Sequence, residues 1–414
     1  MTPSLRRLWD RYRSASPVTI SLLALVLGLV VGAVIIFATT PAILDAWRGA
    51  FHSWGGPGHA LKVTFDNVGA AYRSIFTGSI VDPPQFWHSV TTGRDWTASL
   101  TPLSETFTYA IPLVIASIAV GITFQTGLFN IGANGQAILG GVAGVAVATL
   151  VHLPMVLHLP LTLLAGIAGG VVGGAIPGLL KAYTGAHEVI VTLMFNYVAS
   201  YFMLFCLLST PLQLPNQTNA ISRTMPGGTQ LAPLFGTASG LRVNYGVVVA
   251  LAVTVFALWL LNRSSIGFEF RITGANPHAA RASGINARRT LVTSFLISGG
   301  LAGLAGVAWV AGTTHYIDQN FLQGSAGIGF TAITVSLLGR NRPIGIVWGS
   351  LLFAALEVGG SNMQANTGIP YDLATVIQSA IVIFVATPVL VKEIFRLRAL
   401  RAESVKVATA GWGS

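Results

Sequence analysis

Apolar runs long enough to cross a bilayer recur along almost the whole chain, and this repetition limits the fold more than any motif in it. A helix needs about 20 predominantly apolar residues to cross roughly 30 Å of hydrocarbon. Ten candidate spans follow in order: 18–38, 106–124, 136–153, 160–181, 188–208, 243–261, 290–311, 325–338, 342–358 and 372–391. Composition points the same way: the chain is 53% hydrophobic and 9% charged, where a soluble domain carries about 25% charged residues. Backbone groups in lipid must be satisfied within their own segment, which selects helices. The expected fold is therefore all-α: a polytopic integral membrane protein of about ten transmembrane helices. The membrane domain runs over residues 18–391, between cytoplasmic tails at 1–17 and 392–414. No polar block is long enough to bury a core of its own. The eighth and ninth spans are short, and Gly324, Gly327, Gly329, Pro343 and Gly345 mark them as broken or half-length helices. Such helices are tolerated only inside protein or beside a cavity, so both are placed in the interior.

A net charge of +10 invites a nucleic-acid reading, but the basic residues lie between apolar runs and form no polar face with aromatic neighbours. They fit cytoplasmic loops beside anionic lipid instead. With the N-terminus inside, 17 of the 23 Lys and Arg fall in internal segments. The other six lie in two long external segments, 39–105 and 209–242, where the positive-inside rule is weakest. Both termini are thus expected in the cytoplasm of a multi-pass plasma (inner) membrane protein. The first segment, with Trp47, Trp54, Trp87 and Trp96, is read as an external loop partly at the membrane interface, and the second as a surface loop. Arg6, Arg7, Arg11 and Arg13 precede a first run without a convincing cleavage site, so that run is expected to be retained. Cys206, the single cysteine, excludes an intramolecular disulfide and reads as a packed thiol.

The internal segment 262–289 holds the most informative polar stretch, Gly274 to Gly284 (GANPHAARASG). Asn276 suits an N-cap, Pro277 the first helical position and Gly284 a left-handed terminus, with Ala279, Ala280 and Ala282 between them as good helix formers. A two-turn helix is marginal in water and needs a surface. Its own bundle, a cytoplasmic partner and lipid headgroups all qualify, and Arg271, Arg281, Arg288 and Arg289 flank it.

A second polar stretch, Gly127 to Gln136 (GLFNIGANGQ), offers the uncharged groups of Asn130, Asn134 and Gln136 beside Phe129. Two readings stay open: a lining for the path of a neutral polar solute, and a tight helix-to-helix turn. Glu188 and Glu357 are acids in or beside spans, where a carboxylate is costly and raises a functional hypothesis. Asn196 and Gln378 are uncharged candidates in neighbouring helices. Both acids lie near predicted span ends, where capping or water also accounts for them. Gly166, Gly170, Gly174 and Gly178 repeat every fourth residue on one helix face, a packing device. Gly132–Gly140 and Gly327–Gly339 echo each other weakly, as duplicated halves or as chance likeness between Gly/Ala-rich helices.

None of the four lysines, Lys62, Lys181, Lys392 and Lys406, follows a glycine, so the chain carries no GxxxxGK[ST] phosphate loop. Nucleotide, if it drives this chain, binds elsewhere. His-Glu-x-x-His, Gly-x-Ser-x-Gly and clustered Cys/His ligands are missing too, which argues against a membrane protease or a metal enzyme. No catalytic residue, metal or cofactor is expected.

Four ordered segments resemble the permeases of ATP-binding-cassette importers in the branched-chain amino acid, ribose and simple-sugar superfamily, above all its nucleoside (guanosine-type) branch. They are Gly127 to Gln136, His187 to Tyr197 (HEVIVTLMFNY), Gly274 to Ile285 and Ser298 to Gly306. Residues 1 to about 100 resemble it poorly. The resemblance implies the ABC importer permease fold, and a coupling helix at Asn276 to Gly284 that docks on a separate ATPase subunit. Gly274, Asn276, Pro277, Ala280, Arg281 and Gly284 would be its coupling residues. It further implies an extracytoplasmic solute-binding lipoprotein and a second, homologous permease. Phe129, Asn130, Asn134, Gln136, Glu188, Asn196 and Glu357 are the expected translocation-path residues. Asn134 stands where the family has a glutamate and His187 where it has an asparagine, so a charge-based role at 134 is in doubt. The function so implied is inward transport of nucleosides or related small polar solutes such as sugars. An ion- or proton-coupled secondary carrier working alone is the alternative.

Overall fold

The computed structural model describes residues 17–50, 56–209, 211–321 and 327–395, so most of both predicted tails, Trp54 and Gly324 lie outside the described residues. The described chain is helical. It runs through α1 (Pro17–Thr39), α2 (Pro41–Gly49), α3 (Gly56–Ser79), α4 (Pro83–Thr92), α5 (Trp96–Gln125), α6 (Ala133–Leu150), α7 (Met155–Thr184) and α8 (Glu188–Leu207). After the segment 208–245 come α9 (Gly246–Arg263), α10 (Ser265–Ala275), α11 (Pro277–Ala282) and α12 (Ala287–Trp309). The chain closes with α13 (Gly327–Leu338), α14 (Pro343–Thr367), α15 (Asp372–Ala386) and α16 (Pro388–Ile394). Eight of the described helices are long and apolar enough to cross a membrane, and α13 and α15 are shorter apolar helices.

The described residues up to Val34, with those from Val376 onward, form one compact unit, and Ile35 to Thr375 form another. In the first, Ile20, Ala24 and Val391 make a small buried cluster with Leu23, Leu27 and Phe384 around it. Gly28 sits so close to Ile381 that a Cβ there would overlap it.

The larger unit is built around α5 and α12. α5 is buried without a break from Ala110 to Thr123, and α12 from Ser298 to Ala308. Small residues make the close approach possible, because contact between apolar helices in lipid comes from packing rather than from expulsion of water. The glycine stripe of α7 lies against α12: a Cβ on Gly170 would strike the Gly299 carbonyl, and one on Gly174 the Phe295 carbonyl. α6 closes the third side, with Gly140 against Gly303 and Gly306 against Ala137. The two echoing segments meet, since a Cβ on Gly329 of α13 would lie 2.6 Å from the Asn134 backbone nitrogen.

Two expectations about the elements need correction. Residues 39–105, read as a loop, form α2, α3, α4 and the start of α5. His59, Lys62, Asp66 and Arg73 keep α3 from scoring as an apolar run. Its buried residues Ala60, Ala71, Ile75, Gly78 and Ser79 nonetheless share one helical face. That face packs on α14, where Asn362 Nδ2 donates to the Gly78 carbonyl at 3.2 Å. The ninth span is not short: α14 has 25 residues and continues to Thr367 through Asn362, Gln364 and Asn366, polar residues that hid its second half. α13, at 12 residues, is short as expected.

Candidate functional site

Three side-chain caps shape the segment between α9 and α12. Ser264 Oγ accepts from Gly267 N at 2.9 Å, Asn276 Oδ1 from His278 N at 2.9 Å and Ala279 N at 3.2 Å, and Asn286 Oδ1 from Arg289 N at 3.2 Å. Each satisfies donors that a helix start leaves without an intrahelical partner. Pro277 occupies the first turn of α11, and Gly284, at φ +79°, turns the chain away from it. Of this helix only Ala280 is buried, at 0% exposure, while Pro277, His278, Ala279, Arg281 and Ala282 are exposed. Ala280 is thus the anchor, and Arg281 projects outward.

The segment touches the second polar stretch directly. Gly274 lies against the chain reversal after α5, close enough that a Cβ would overlap the Gln125 carbonyl. Gly127, at φ +75°, makes that reversal. The turn between α13 and α14 arrives at the same place, with Gln125 Nε2 donating to the Asn341 carbonyl at 3.1 Å.

The amides of this stretch face one another. Asn130 Nδ2 donates to Gln136 Oε1 and to Ser298 Oγ of α12, both at 2.9 Å, and Asn130 and Gln136 are fully buried. Asn196 of α8 accepts from Gly135 N at 2.8 Å and donates to the Ile131 carbonyl at 3.0 Å. Asn130, Gln136 and Asn196 therefore knit α6, α8 and α12 around the turn. Asn134 is part-exposed, and its Oδ1 is buried without a hydrogen-bond partner. Phe129 is exposed and meets Phe124 edge to face at 5.0 Å. Glu188 pairs with Lys181 at 2.6 Å, which ties the start of α8 to the end of α7. Gln378 is buried in α15.

Glu357 stands apart from these. It lies well inside the longer α14, is part-exposed, and accepts a short hydrogen bond from the Tyr371 hydroxyl. Tyr109 of α5 meets Trp309 of α12 edge to face at 5.2 Å, and Glu357, Glu105 and Arg242 all act electrostatically on the Tyr109 hydroxyl. Arg242 pairs with Glu105 at 3.2 Å. Sequence reasoning missed Tyr109, Trp309 and Tyr371. Aromatics in apolar runs are common, and only the packing reveals that Tyr109 meets Trp309 and that Tyr371 meets an acid.

At the far end of α9 and α12 from the caps, the chain forms a cavity of about 440 Å³ lined by Gln230, Thr237, Arg242, Asn244, Thr313 and His315, among others. The segment expected as a surface loop builds it, pinned to a π-helical turn at Val310–Thr314. Leu231 N donates to the Ala311 carbonyl and Met225 N to the His315 carbonyl, each at 2.8 Å, and Asn244 Nδ2 to the Gly312 carbonyl at 2.8 Å.

Comparison with known proteins agrees with this architecture. The family described as branched-chain amino acid transport system / permease component matches residues 103–386. The guanosine ABC transporter permease protein NupP of Bacillus subtilis is 34% identical over 69% of this chain and 81% of its own length. The nucleoside ABC transporter permease protein NupB of Lactococcus lactis is 33% identical over 74% of this chain and 84% of its own. For the glucose ABC transporter permease protein TsgB13 of Haloferax volcanii the figures are 35%, 69% and 76%. Many-helix architecture and this likeness converge on a multi-pass plasma-membrane permease subunit of an ATP-binding-cassette importer, which implies ATPase and substrate-binding partners. The chain belongs to the branched-chain amino acid transport system permease family.

Proposed function

We propose that this chain carries nucleosides inward, driven by an ATPase that docks on α11. The observation carrying the reading is the exposed, Asn276-capped α11 whose lead-in residue Gly274 abuts the Gln125–Gly127 reversal. A push on α11 would reach the end of α5 through backbone contact, and the turn between α13 and α14 through the Gln125 side chain. Allosteric gating needs such a connection, because ATP must bias inward- against outward-facing states. The nucleoside assignment draws on the relatives named for guanosine and nucleosides.

In this reading Gly274, Asn276, Pro277 and Gly284 shape the coupling element, Ala280 seats it on the bundle and Arg281 meets the ATPase. Asn130, Gln136, Asn196 and Glu188 are positioning residues, their polar groups engaged within the fold. Phe129, Asn134 and Glu357 stay with the path. A carboxylate at membrane depth avoids lipid, so the part-exposed side of Glu357 is covered by a second, homologous permease. A solute-binding lipoprotein delivers at the cavity end, and both termini are cytoplasmic.

Charge reversal at Arg281 tests the docking. In proteoliposomes holding the full complex, Arg281→Glu should lower ATP-driven guanosine uptake at least about tenfold, as expected for disturbing a charged contact at an interface centre. Yield and basal ATP hydrolysis should stay near wild-type. Unchanged uptake would count against docking at α11.

A further inference from the structure

The cavity at the far end of α9 and α12 has walls held by backbone. Besides the bonds that pin the segment to the π-helical turn, Leu234 N donates to the Val243 carbonyl at 2.8 Å and Tyr245 N to the Ala232 carbonyl at 3.1 Å. At about 440 Å³ it is of the size that holds small molecules, and such sites are largely pre-formed. Several polar groups of its lining are not used by the fold. Gln230 gives Nε2 to the Met225 carbonyl and keeps Oε1. Arg242 gives Nη1 to both Glu105 oxygens and keeps Nε and Nη2. Among the described residues the Thr313 hydroxyl has no hydrogen-bond partner. Beside it His315 holds a left-handed backbone at φ +62° directly after the π-helical turn. Strain at a non-glycine residue and π-helical turns both concentrate at functional sites.

We propose that this cavity is a receiving site for the nucleoside, with the sugar hydroxyls on Gln230, Arg242 and Thr313 and the base along the apolar lining of Leu231, Pro233 and Leu241. The inference rests on the import reading above and adds a place where this chain itself holds the solute. A sugar hydroxyl both donates and accepts, so a diol can donate to Gln230 Oε1 and accept from the free side of the Arg242 fork. The Thr313 hydroxyl serves in either direction. A flat base needs apolar surface and few polar partners, which the leucines and the proline supply. Charge selects against phosphorylated solutes, because Glu105 already balances the Arg242 guanidinium and would face any added anion. The site therefore separates nucleosides from nucleotides.

Photolabelling of the reconstituted complex with 8-azidoguanosine, whose reactive group sits on the base, tests the site. Trypsin cuts after Arg223 and Arg242, so the apolar lining leaves as one peptide, 224–242. In wild-type protein that peptide should carry label, excess guanosine should abolish it, and GMP at the same concentration should leave most of it. Thr313→Val, which removes a hydroxyl the fold does not use, should raise the half-saturating concentration about three- to tenfold, as for one lost neutral hydrogen bond. Label confined to other peptides, or label that guanosine does not displace, overturns the receiving site; guanosine uptake in the same vesicles then leaves import standing. Displacement by GMP as strong as by guanosine overturns the neutral-solute selection. An unchanged half-saturating concentration in Thr313→Val overturns the part given to that hydroxyl. Uptake of glucose without uptake of guanosine overturns the nucleoside reading beneath.

Discussion

His315 follows the π-helical turn with its backbone at φ +62°, a conformation that non-glycine residues rarely adopt, and its ring lines the 440 Å³ cavity. Burial pushes its pKa below the usual 6.5 and the positive charge of Arg242 adds to this, while the carbonyls of Ala311 and Val310 pull partly the other way. The buried Nδ1 has no partner of hydrogen-bonding geometry. A histidine depressed in the folded state binds fewer protons there than in the unfolded chain. Its contribution to stability is present above the unfolded value and is lost as pH falls through 6.5 towards the lower folded value. Thermal unfolding followed from about pH 7.5 to about pH 5.5, across the imidazole range, should show a declining midpoint in wild-type protein. His315→Gln, which cannot take up the proton, should decline less. Parallel curves would mean that His315 keeps its proton affinity on folding. Asn130 teaches the same lesson from the other side: its amide, attractive as a solute contact when read in sequence, is fully buried on Gln136 and Ser298.

Helices α6, α7 and α12 approach along a seam of glycines, and the closeness of that seam predicts its fragility. A Cβ on Gly303 would overlap the Gly166 carbonyl and lie 2.7 Å from the Gly170 Cα, both backbone positions that cannot swing aside. Gly303→Ala should therefore lower stability by about 1–3 kcal/mol, the usual cost of overpacking. Gly69→Ala on α3, where a Cβ meets nothing within 4 Å, should be neutral or stabilising by up to about 1 kcal/mol. Thermal midpoints of the two variants, measured side by side, decide it: equal shifts would place the seam elsewhere. The α7 half of the seam was legible because four glycines at intervals of four can share a face only on a helix. The α6 and α12 halves, Gly140, Gly299 and Gly303, were not, since no spacing tells which faces of separate helices will meet. The α11 caps were legible for a local reason: Asn276, Pro277 and Gly284 determine their own backbone. α3 was not legible as a span because its periodicity is that of a helix with one buried face and it holds no unbroken apolar run. The Tyr109–Trp309 and Tyr371–Glu357 pairs each join residues far apart in sequence or beyond a helix end, and no local spacing announces them.

Across the whole molecule, α9 and α12 are the rulers. α9 leaves the cavity and α12 returns to it, with the capped segment 264–286 between them. An 18-residue helix rises about 27 Å, close to the hydrocarbon thickness, so the cavity and α11 belong to opposite faces of the membrane. Charge decides which face is which. Arg263, Arg271, Arg281, Arg288 and Arg289 crowd the α11 side, as do Arg340 and Arg342 next to the turn that meets Gln125. The cavity side has Arg223 and Arg242, the latter paired with Glu105. Positive loops are retained in the cytoplasm, and the prediction is that α11 faces inward and the cavity outward. Single cysteines in a Cys206→Ser background make this visible. Thr237→Cys should react with a membrane-impermeant maleimide in intact spheroplasts, and Arg281→Cys only after the membrane is opened. Both positions are exposed in the fold of this chain, so in spheroplasts expressing it without its ATPase access to reagent is limited by the bilayer. Labelling in the reverse order would put the capped helix on the delivery side, out of reach of any cytoplasmic ATPase, and would remove the coupling mechanism at its root.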